Sequence, residues 1–494
     1  MAKRSDAQID RQYKWSMYLK LPPINGYAEV FSVFAGETAY IRAARKIDFS
    51  PWALLLPLRV ESVALRNAVT GATTSVTAER VRLYKQVPKS YRDGGAAYRA
   101  RIAVDTTDLE PGLYECIVRD NQGTVSGDIY FNVKPRRFMG RDLCCVLPTF
   151  TWQAYNRLAG GSFYSNSLGN VRTITTQRPI SRTGDNTIHA ALGFLKAFAE
   201  AGISFCCVDS MDLHRGLRPG GRAPVTALLT HDEYWSQAMR DEIDRYLKRG
   251  GVLMVAAGNV CWWRIEVDGD NLTVDKKQTT YREKKKTGSR ASGNQWYQLG
   301  QPEERTFVSS YRFGGYATER MAEKPRRREL IAEVEDSAFV DSGSIEIVRP
   351  DHPIFEGVVL GPGNRFGGDV PIVYREIDAV PLKADGQVDR MWYDADRIEP
   401  NVLATGTVVR GRLFNSLVTR AGIVVEADVA AGHVLHMGSF GWARGLEQKN
   451  EAVKRIVLNA VRYCRELADR RRPKEPAKGD PAKRERTRRG SLKA

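Results

Sequence analysis

Long apolar segments are missing from this sequence of 494 residues. No run of about 18 apolar residues occurs, so we expect no membrane-spanning helix. The N-terminal segment MAKRSDAQIDRQYKW has no apolar centre, and we therefore expect no secretory signal. Hydrophobic residues still make up 42% of the chain, which is enough to bury more than one core.

The sequence also lacks the cysteine spacings of a disulfide framework or of a CxxC zinc site. Four of its seven cysteines form two adjacent pairs, in the apolar runs DLCCVLP and ISFCCVD. We interpret these pairs as buried thiols of β-strands. We therefore expect a reducing, cytoplasmic location.

Positive charge is in excess, with a formal net charge of +17, and much of it lies near the C-terminus. Residues 470–494 hold 11 Lys or Arg residues against 3 Asp or Glu residues. We predict that residues 468–494 form a disordered basic tail, and we assign residues 1–17 to an N-terminal tail. We expect the basic tail to be solvated and any contact with nucleic acid to be non-specific.

Residues 18–137 have the pattern of an all-β domain. Alternating runs such as TAYIRAAR, AAYRARIAV and GLYECIVRD are separated by the turn signals RDGG, EPG and NQG. Short strands at this spacing, with no helical period between them, predict a β-sandwich of the immunoglobulin-like type.

The pattern changes in residues 138–467, which we predict to form an α/β domain. Short apolar strands alternate there with amphipathic helices, and this alternation is typical of a parallel sheet covered on both faces. The predicted strands lie at 142–148, 203–209, 225–231 and 252–259, and the predicted helices at 185–202, 235–249 and 450–467. Residues 266–305 are polar and Lys-rich and are predicted to form a long loop.

Polar side chains follow three of these strands. Tyr155 and Tyr164 follow the first, His231 and Glu233 lie at and just beyond the end of the third, and Asn259 lies at the end of the fourth. Ligands of open parallel sheets bind beyond the carboxyl ends of the strands, so we expect these side chains to line one site. Two phenols and a carboxylate are hard oxygen ligands that suit Fe(III) or another hard cation. Ordinary packing of the tyrosines, with Glu233 near a helix start, is the alternative interpretation.

Several uncommon sequence motifs occur in the order in which a known family has them. The motifs are VLPTFTWQAYN, GGSFYS, HDEYWSQAMRD, GGVLMVAAGNVCWWR and GHVLHMGSFGWARGLEQKNEAVKRIVLNAV. Over about residues 140–466 the chain resembles the large (beta) subunit of N,N-dimethylformamidase. The resemblance implies an iron-dependent amidohydrolase that acts on a small amide substrate and forms a homo-oligomer.

The same resemblance implies roles for individual residues. The metal ligands would be Tyr155, Tyr164 and Glu233, around a single Fe(III) ion. The acidic residue of YREID, Glu376, would act as general base on water. Asn259 or His231 would steady the developing oxyanion.

Two other interpretations stay open at the level of sequence. The fold also resembles the class I glutamine amidotransferase group, a flavodoxin-like fold in which a nucleophilic cysteine follows a strand. Cys261, in the turn AAGNVCWW, could act with His231 in that way. Alternatively, the chain is not catalytic and binds a sugar, a peptide or a partner protein.

Overall fold

The computed structural model describes residues 20–47, 57–76, 81–86, 95–137, 143–158, 161–164, 172–180, 188–216, 224–274, 295–317, 343–367, 370–393, 397–410 and 417–471. The predicted N-terminal tail and residues 472–494 of the predicted basic tail lie outside these ranges. Residues 468–471 belong instead to the last helix, which is longer than predicted.

Two antiparallel-rich sheets form the N-terminal part of the described chain. Their strands are Ile24–Ala28 (β1), Ser32–Phe34 (β2), Thr38–Arg45 (β3), Val60–Asn67 (β4), Thr73–Val76 (β5), Ala100–Asp105 (β6), Gly112–Asp120 (β7) and Tyr130–Lys134 (β8). One sheet has the order β1–β3–β6 and the other the order β2–β8–β7–β4–β5. Strand β6 buries every second residue, as the alternating pattern predicts. Residues of both sheets, such as Ile41 and Leu65, share one apolar core.

The remaining strands belong to the α/β part. They are Leu143–Leu147 (β9), Thr173–Thr175 (β10), Phe205–Asp209 (β11), Val225–His231 (β12), Tyr234–Trp235 (β13), Val252–Gly258 (β14), Trp263–Arg264 (β15), Glu266–Asp268 (β16), Asn271–Thr273 (β17), Ser310–Ala317 (β18), Ile345–Ile347 (β19), Arg365–Phe366 (β20), Arg375–Pro381 (β21), Asn401–Arg410 (β22), Leu417–Val429 (β23) and Gly432–Met437 (β24).

Helices connect and cover these strands. They are Thr149–Tyr155 (α1), Ile188–Glu200 (α2), Ser210–Arg215 (α3), Gln237–Lys248 (α4), Glu304–Phe307 (α5), Gly441–Glu447 (α6) and Glu451–Arg471 (α7). Short 3₁₀ turns occur at Trp296–Leu299, Pro353–Phe355, Pro362–Asn364 and Arg390–Trp392. Within the described part of the chain, every helix is too short or too polar to cross a membrane.

The main sheet is mixed, not parallel throughout. Strands β11–β9–β12–β14–β24 lie side by side in parallel. Beyond them, β23 and β22 continue the sheet in antiparallel pairing. The direction changes because β23 and β24 are joined by the two-residue turn Ala430–Ala431, which is a hairpin connection and not a crossover.

Two apolar cores cover the two faces of the parallel strands. On β9, Cys145 faces one core while Cys144 and Val146 face the other, because successive strand residues point to opposite faces. Helices α2, α6 and α7 pack in the first core, and α1, α3 and α4 pack in the second. Each of the four adjacent cysteines is buried and free of a disulfide bond.

Two segments differ from the sequence-based expectation. Residues 149–155 form helix α1, which the sequence analysis did not assign, because threonine and aromatic residues are weak helix formers. Part of the predicted loop at 266–305 is regular structure, since β16 and β17 pair with each other and β17 pairs with β10.

Candidate active site

The carboxyl ends of β9, β12 and β14 meet at one edge of the sheet because these strands are parallel neighbours. Helix α1 follows β9 and ends at Tyr155. Strand β12 ends at His231, two residues before Glu233. Strand β14 ends at Gly258, so that Asn259 begins the next turn. The sheet therefore delivers four of the predicted site residues to one place.

Three oxygen-bearing side chains form a tight cluster at this edge. The Tyr155 hydroxyl donates to Glu233 Oε2 at 2.7 Å. Tyr164 Oη lies 2.9 Å from each carboxylate oxygen of Glu233 and 3.0 Å from Tyr155 Oη. The two phenol rings stack with their centroids 4.4 Å apart. One phenol oxygen of each tyrosine and one carboxylate oxygen thus form a triangle with edges of 2.7 to 3.0 Å.

The backbone around Glu233 is held from two sides. Its N–H donates to Thr151 Oγ1 on helix α1 at 2.9 Å. Its carbonyl oxygen accepts from the N–H groups of Trp262 and Trp263, at 3.0 and 2.9 Å, in the turn after β14. The backbone of Glu233 is therefore bonded both to the helix that carries Tyr155 and to the turn that begins at Asn259. Glu233 is 3% exposed.

Burial and like charge together disfavour ionised phenols here. Burial raises the pKa of Tyr155 and of Tyr164 well above the ordinary value, and the Glu233 carboxylate raises both further. The pKa of Tyr234 is raised for the same two reasons. A positive ion between these oxygens would act in the opposite direction, because a bound cation stabilises the ionised ligand.

Glu376 on β21 and Asn259 after β14 form a second group of side chains beside the triangle. Asn259 Nδ2 donates to Glu376 Oε2 at 3.3 Å. Burial raises the pKa of Glu376 well above its ordinary value, and the charge of Glu233 adds to the shift, whereas a hydrogen bond from Tyr311 opposes it. Glu376 also raises the pKa of Tyr155, as expected for a carboxylate close to that phenol. The Glu376 residue as a whole is partly exposed, although its carboxyl group is in a buried environment.

His231 lies behind the Glu233 carboxylate. Its Nε2 is 3.7 Å from Glu233 Oε2, and its ring centroid is 5.4 Å from that of Tyr155. The His231 residue is 1% exposed. His231 therefore lies next to both the Glu233 carboxylate and the ring of Tyr155.

Sequence reasoning missed several residues of this site. Tyr234 donates to Tyr164 Oη at 2.8 Å, and Thr151 accepts from the Glu233 backbone. Tyr311 on β18 bonds Glu376, and Asp378 lies two residues after Glu376 on β21. The word HDEYW contains Tyr234 beside Glu233 and could have suggested it. Nothing in the sequence links Tyr311 or Asp378 to the strand ends.

Among the described residues, no three His, Cys, Asp or Glu side chains lie close enough together to hold a metal ion. The cluster described above offers only one such side chain, Glu233. Its other oxygens come from Tyr155 and Tyr164.

A separate cavity of about 230 Å³ lies between the N-terminal sheets and helices α1 and α3. Tyr27, Phe31 and Lys134 line it from one side, and Gln153 and Asp212 from the other. Of the described residues that line it, none belongs to the triangle or to its partners on β21.

Fold and site together define an α/β protein that presents polar side chains at the carboxyl ends of parallel strands, where this class binds its ligands. The chain belongs to the family described as N,N-dimethylformamidase beta subunit-like, C-terminal, whose sequence model matches residues 69–454. The resemblance inferred from the sequence words is thereby confirmed. The match begins earlier than the resemblance did, within the N-terminal sheets. Comparison with curated proteins finds none that matches the chain.

Arg178, in the word QRPIS, holds the segment between the two tyrosines. Its side chain is buried, and its guanidinium donates to the carbonyl oxygens of Gln153, Leu158 and Gly161 at 2.6, 3.2 and 2.6 Å. A second bond reaches the side chain of Gln153 at 2.9 Å. The guanidinium group of Arg178 thus donates to four acceptors on the segment that leads from α1 to Tyr164.

We expect Arg178→Met to destabilise the protein by about 2–5 kcal/mol, because it leaves several buried acceptors without a donor. Urea unfolding followed by circular dichroism measures the change. The exposed Arg119, which donates to the Gly123 carbonyl at 3.3 Å, is the matched control. Arg119→Met should change stability by less than about 0.5 kcal/mol. Equal effects of the two substitutions would contradict the role given to Arg178.

Proposed function

We propose that this protein is a metal-dependent hydrolase that cleaves the C–N bond of a small amide. The observation that carries the proposal is the triangle of oxygens from Tyr155, Tyr164 and Glu233. Membership in the N,N-dimethylformamidase beta subunit-like family supports the reaction class. The ligand set supports a single hard ion, for which we propose Fe(III).

The triangle fits such an ion in its dimensions. Hard cations of this size bind oxygens at about 2.0–2.1 Å in octahedral geometry, which places neighbouring ligand oxygens about 2.8–3.0 Å apart. The oxygen separations in the cluster are 2.7, 2.9 and 3.0 Å. Tyr155, Tyr164 and Glu233 would then hold the ion, each through one oxygen.

Proton counting supports the same assignment. A phenol has one proton to donate, yet Tyr164 Oη lies within 3.0 Å of Tyr155 Oη and of both Glu233 oxygens. If Tyr155 and Tyr164 each donate to Glu233, the contact between the two phenol oxygens has no proton in it. A cation at the centre would turn these close oxygen contacts into ligand contacts.

The remaining residues can perform the proton transfers of amide hydrolysis. When bound, the ion would polarise the carbonyl group of the amide. Glu376, whose carboxylate accepts from Asn259 beside the triangle, would take a proton from the attacking water. Glu376 would then return that proton to the amide nitrogen as the C–N bond breaks, so that the nitrogen leaves as a neutral amine. Asn259 Nδ2, which faces Glu376, would orient the carboxylate or donate to the developing oxyanion.

We also propose closer relationships for the two parts of the fold. The parallel strands β11–β9–β12–β14–β24, covered by helices on both faces, support a glutamine amidotransferase-like core within residues 138–467. The two N-terminal sheets around one core support an immunoglobulin-like sandwich within residues 18–137.

The cysteine mechanism has less support. Cys261 is fully buried in the apolar core, and burial raises the pKa of its thiol well above the ordinary value. A reactive cysteine needs the thiolate form and access to substrate. The separate cavity favours a second function, the binding of a small molecule without catalysis, and its size excludes a folded partner.

We expect the purified protein to contain about one iron per chain and to absorb visible light, because phenolates bound to Fe(III) are coloured. Tyr155→Phe and Tyr164→Phe should each lower the metal content and change or bleach the colour. Tyr114→Phe removes a hydroxyl bonded to the Glu110 carbonyl, far from this site in the N-terminal sheets, and should change neither. A protein that binds no metal after incubation with ferrous or ferric iron would contradict the ligand assignment.

We expect hydrolysis of at least one amide in a panel of small formamides and N-alkyl amides that includes N,N-dimethylformamide, measured as amine release. Glu376→Gln should lower kcat by about 10²-fold or more, since it removes the general base, while the metal content stays unchanged. The exposed Glu266, paired with Arg264, provides the control Glu266→Gln, which should keep full activity. Full activity of Glu376→Gln, or loss of activity in Cys261→Ala with metal retained, would contradict this mechanism.

A further inference from the structure

We propose that Asp378 is a positioning residue that fixes the turn carrying Asn259 and thereby aligns both halves of the active site. Its role in catalysis rests on the proposed function, whereas its hold on the turn does not. Asp378 lies on β21, two residues after Glu376 and hence on the same face of that strand. It is 1% exposed.

The Asp378 carboxylate accepts two consecutive backbone N–H groups. Asn259 N donates to Oδ1 at 2.9 Å, and Val260 N donates to Oδ2 at 2.9 Å. Successive N–H groups that point into one concavity form a site for an anion. Here the anion is a side chain of the same protein, and both of its oxygens are used.

The turn needs such support because its backbone is unfavourable. Asn259 has a φ of 54° and Cys261 a φ of 57°, in the left-handed region that residues with a side chain rarely adopt. Such a conformation persists only where the surroundings impose it. The two hydrogen bonds that the Asp378 carboxylate accepts hold the first of these residues in place.

Close contact between the backbones of β14 and β21 also restricts the position of the Asn259 turn. A Cβ atom at Gly258 would collide with the carbonyl oxygen of Glu376. Strand β14 and strand β21 therefore touch directly at the point where the Asn259 turn begins. A small movement of the turn would change the distance between Asn259 Nδ2 and Glu376 Oε2, which is 3.3 Å.

A buried histidine lies on the other side of Asp378. His436 Nε2 is 3.3 Å from Asp378 Oδ2, and His436 Nδ1 is 2.7 Å from the carbonyl oxygen of Phe307. Because a carbonyl oxygen only accepts, Nδ1 carries a proton. His436 is 0% exposed, and it lies between the carboxylate and the segment that joins α5 to β18.

The turn makes hydrogen bonds to both groups of site residues. The Asn259 side chain reaches Glu376, and the N–H groups of Trp262 and Trp263 bond the Glu233 carbonyl. Among the described residues, the hydrogen bonds of Asp378 go to Asn259 and Val260 and not to Tyr155, Tyr164 or Glu233. Asp378 acts through Asn259, Glu376 and Glu233.

Hydrogen exchange tests the contact directly and without any assay of activity. In the wild-type protein the amides of Asn259 and Val260 should be strongly protected. Asp378→Asn presents an NH₂ group to one of the two donors, so exchange of these amides should become at least about tenfold faster. Free exchange of both amides in the wild type would overturn the proposal, even if the variant does not fold. Unchanged exchange in a folded variant would also overturn it.

Kinetics test the positioning role. We expect Asp378→Asn to lower kcat by about 10- to 100-fold, as small misplacements of catalytic groups do. KM and the metal content should stay within about twofold of wild type, because Asp378 bonds the Asn259 turn and not the proposed metal ligands. A variant with normal kcat, or one that loses its metal, would contradict this role. If the wild-type protein cleaves no amide, the proposed function is contradicted. The hydrogen-exchange experiment would still test whether Asp378 holds the Asn259 turn.

Asp120 provides a matched control. It is buried, its Oδ1 accepts the N–H groups of Gln122 and Thr124 at 3.0 and 2.8 Å, and its Oδ2 lies 3.2 Å from Arg45 Nη1. Like Asp378, it is a buried aspartate that accepts two backbone N–H groups, but it lies in the N-terminal sheets. Asp120→Asn should lower thermal stability while kcat and the exchange of Asn259 and Val260 stay unchanged. A fall in kcat equal to that of Asp378→Asn would mean that lost stability alone explains both variants.

Discussion

The buried carboxylate of Glu233 is the constraint around which the site is organised. A carboxylate taken out of water is costly unless donors or a cation surround it. The chain supplies phenol hydroxyls from Tyr155 and Tyr164 and fixes the Glu233 backbone from α1 and from the turn after β14. These donors are close enough to each other that a cation could take their place as the compensating charge. The same compact cluster thus explains both the stability of a buried charge and its proposed use.

The architecture brings the necessary groups together by two different routes. Parallel strands deliver Tyr155, Glu233 and Asn259 to one edge of the sheet. Strand β21 enters from the antiparallel part of the structure and adds Glu376 and Asp378. The direct contact of β14 with β21 at Gly258 joins the two routes. Metal ligands and general base would therefore be carried by separate parts of the fold, with the Asn259 turn between them.

Local sequence was enough to predict much of this arrangement. Apolar strands of five to seven residues, each followed by polar or aromatic side chains, indicated the edge of the sheet where Tyr155, His231 and Glu233 lie. Helix α1 escaped prediction because its sequence, TFTWQAY, is poor in strong helix formers and is stabilised by burial. Tyr311 and Asp378 escaped because they reach the site through pairing between distant strands. Such pairing depends on the whole fold and has no short-range signal.

Anomalous diffraction at the iron absorption edge, from crystals of the iron-loaded protein, tests the central claim most directly. The account predicts one peak per chain, about 2.0–2.3 Å from Tyr155 Oη, Tyr164 Oη and a Glu233 carboxylate oxygen, as for hard cations bound by oxygen. A fully loaded protein whose iron peak lies elsewhere, with the three side chains still bonded only to one another, would contradict it.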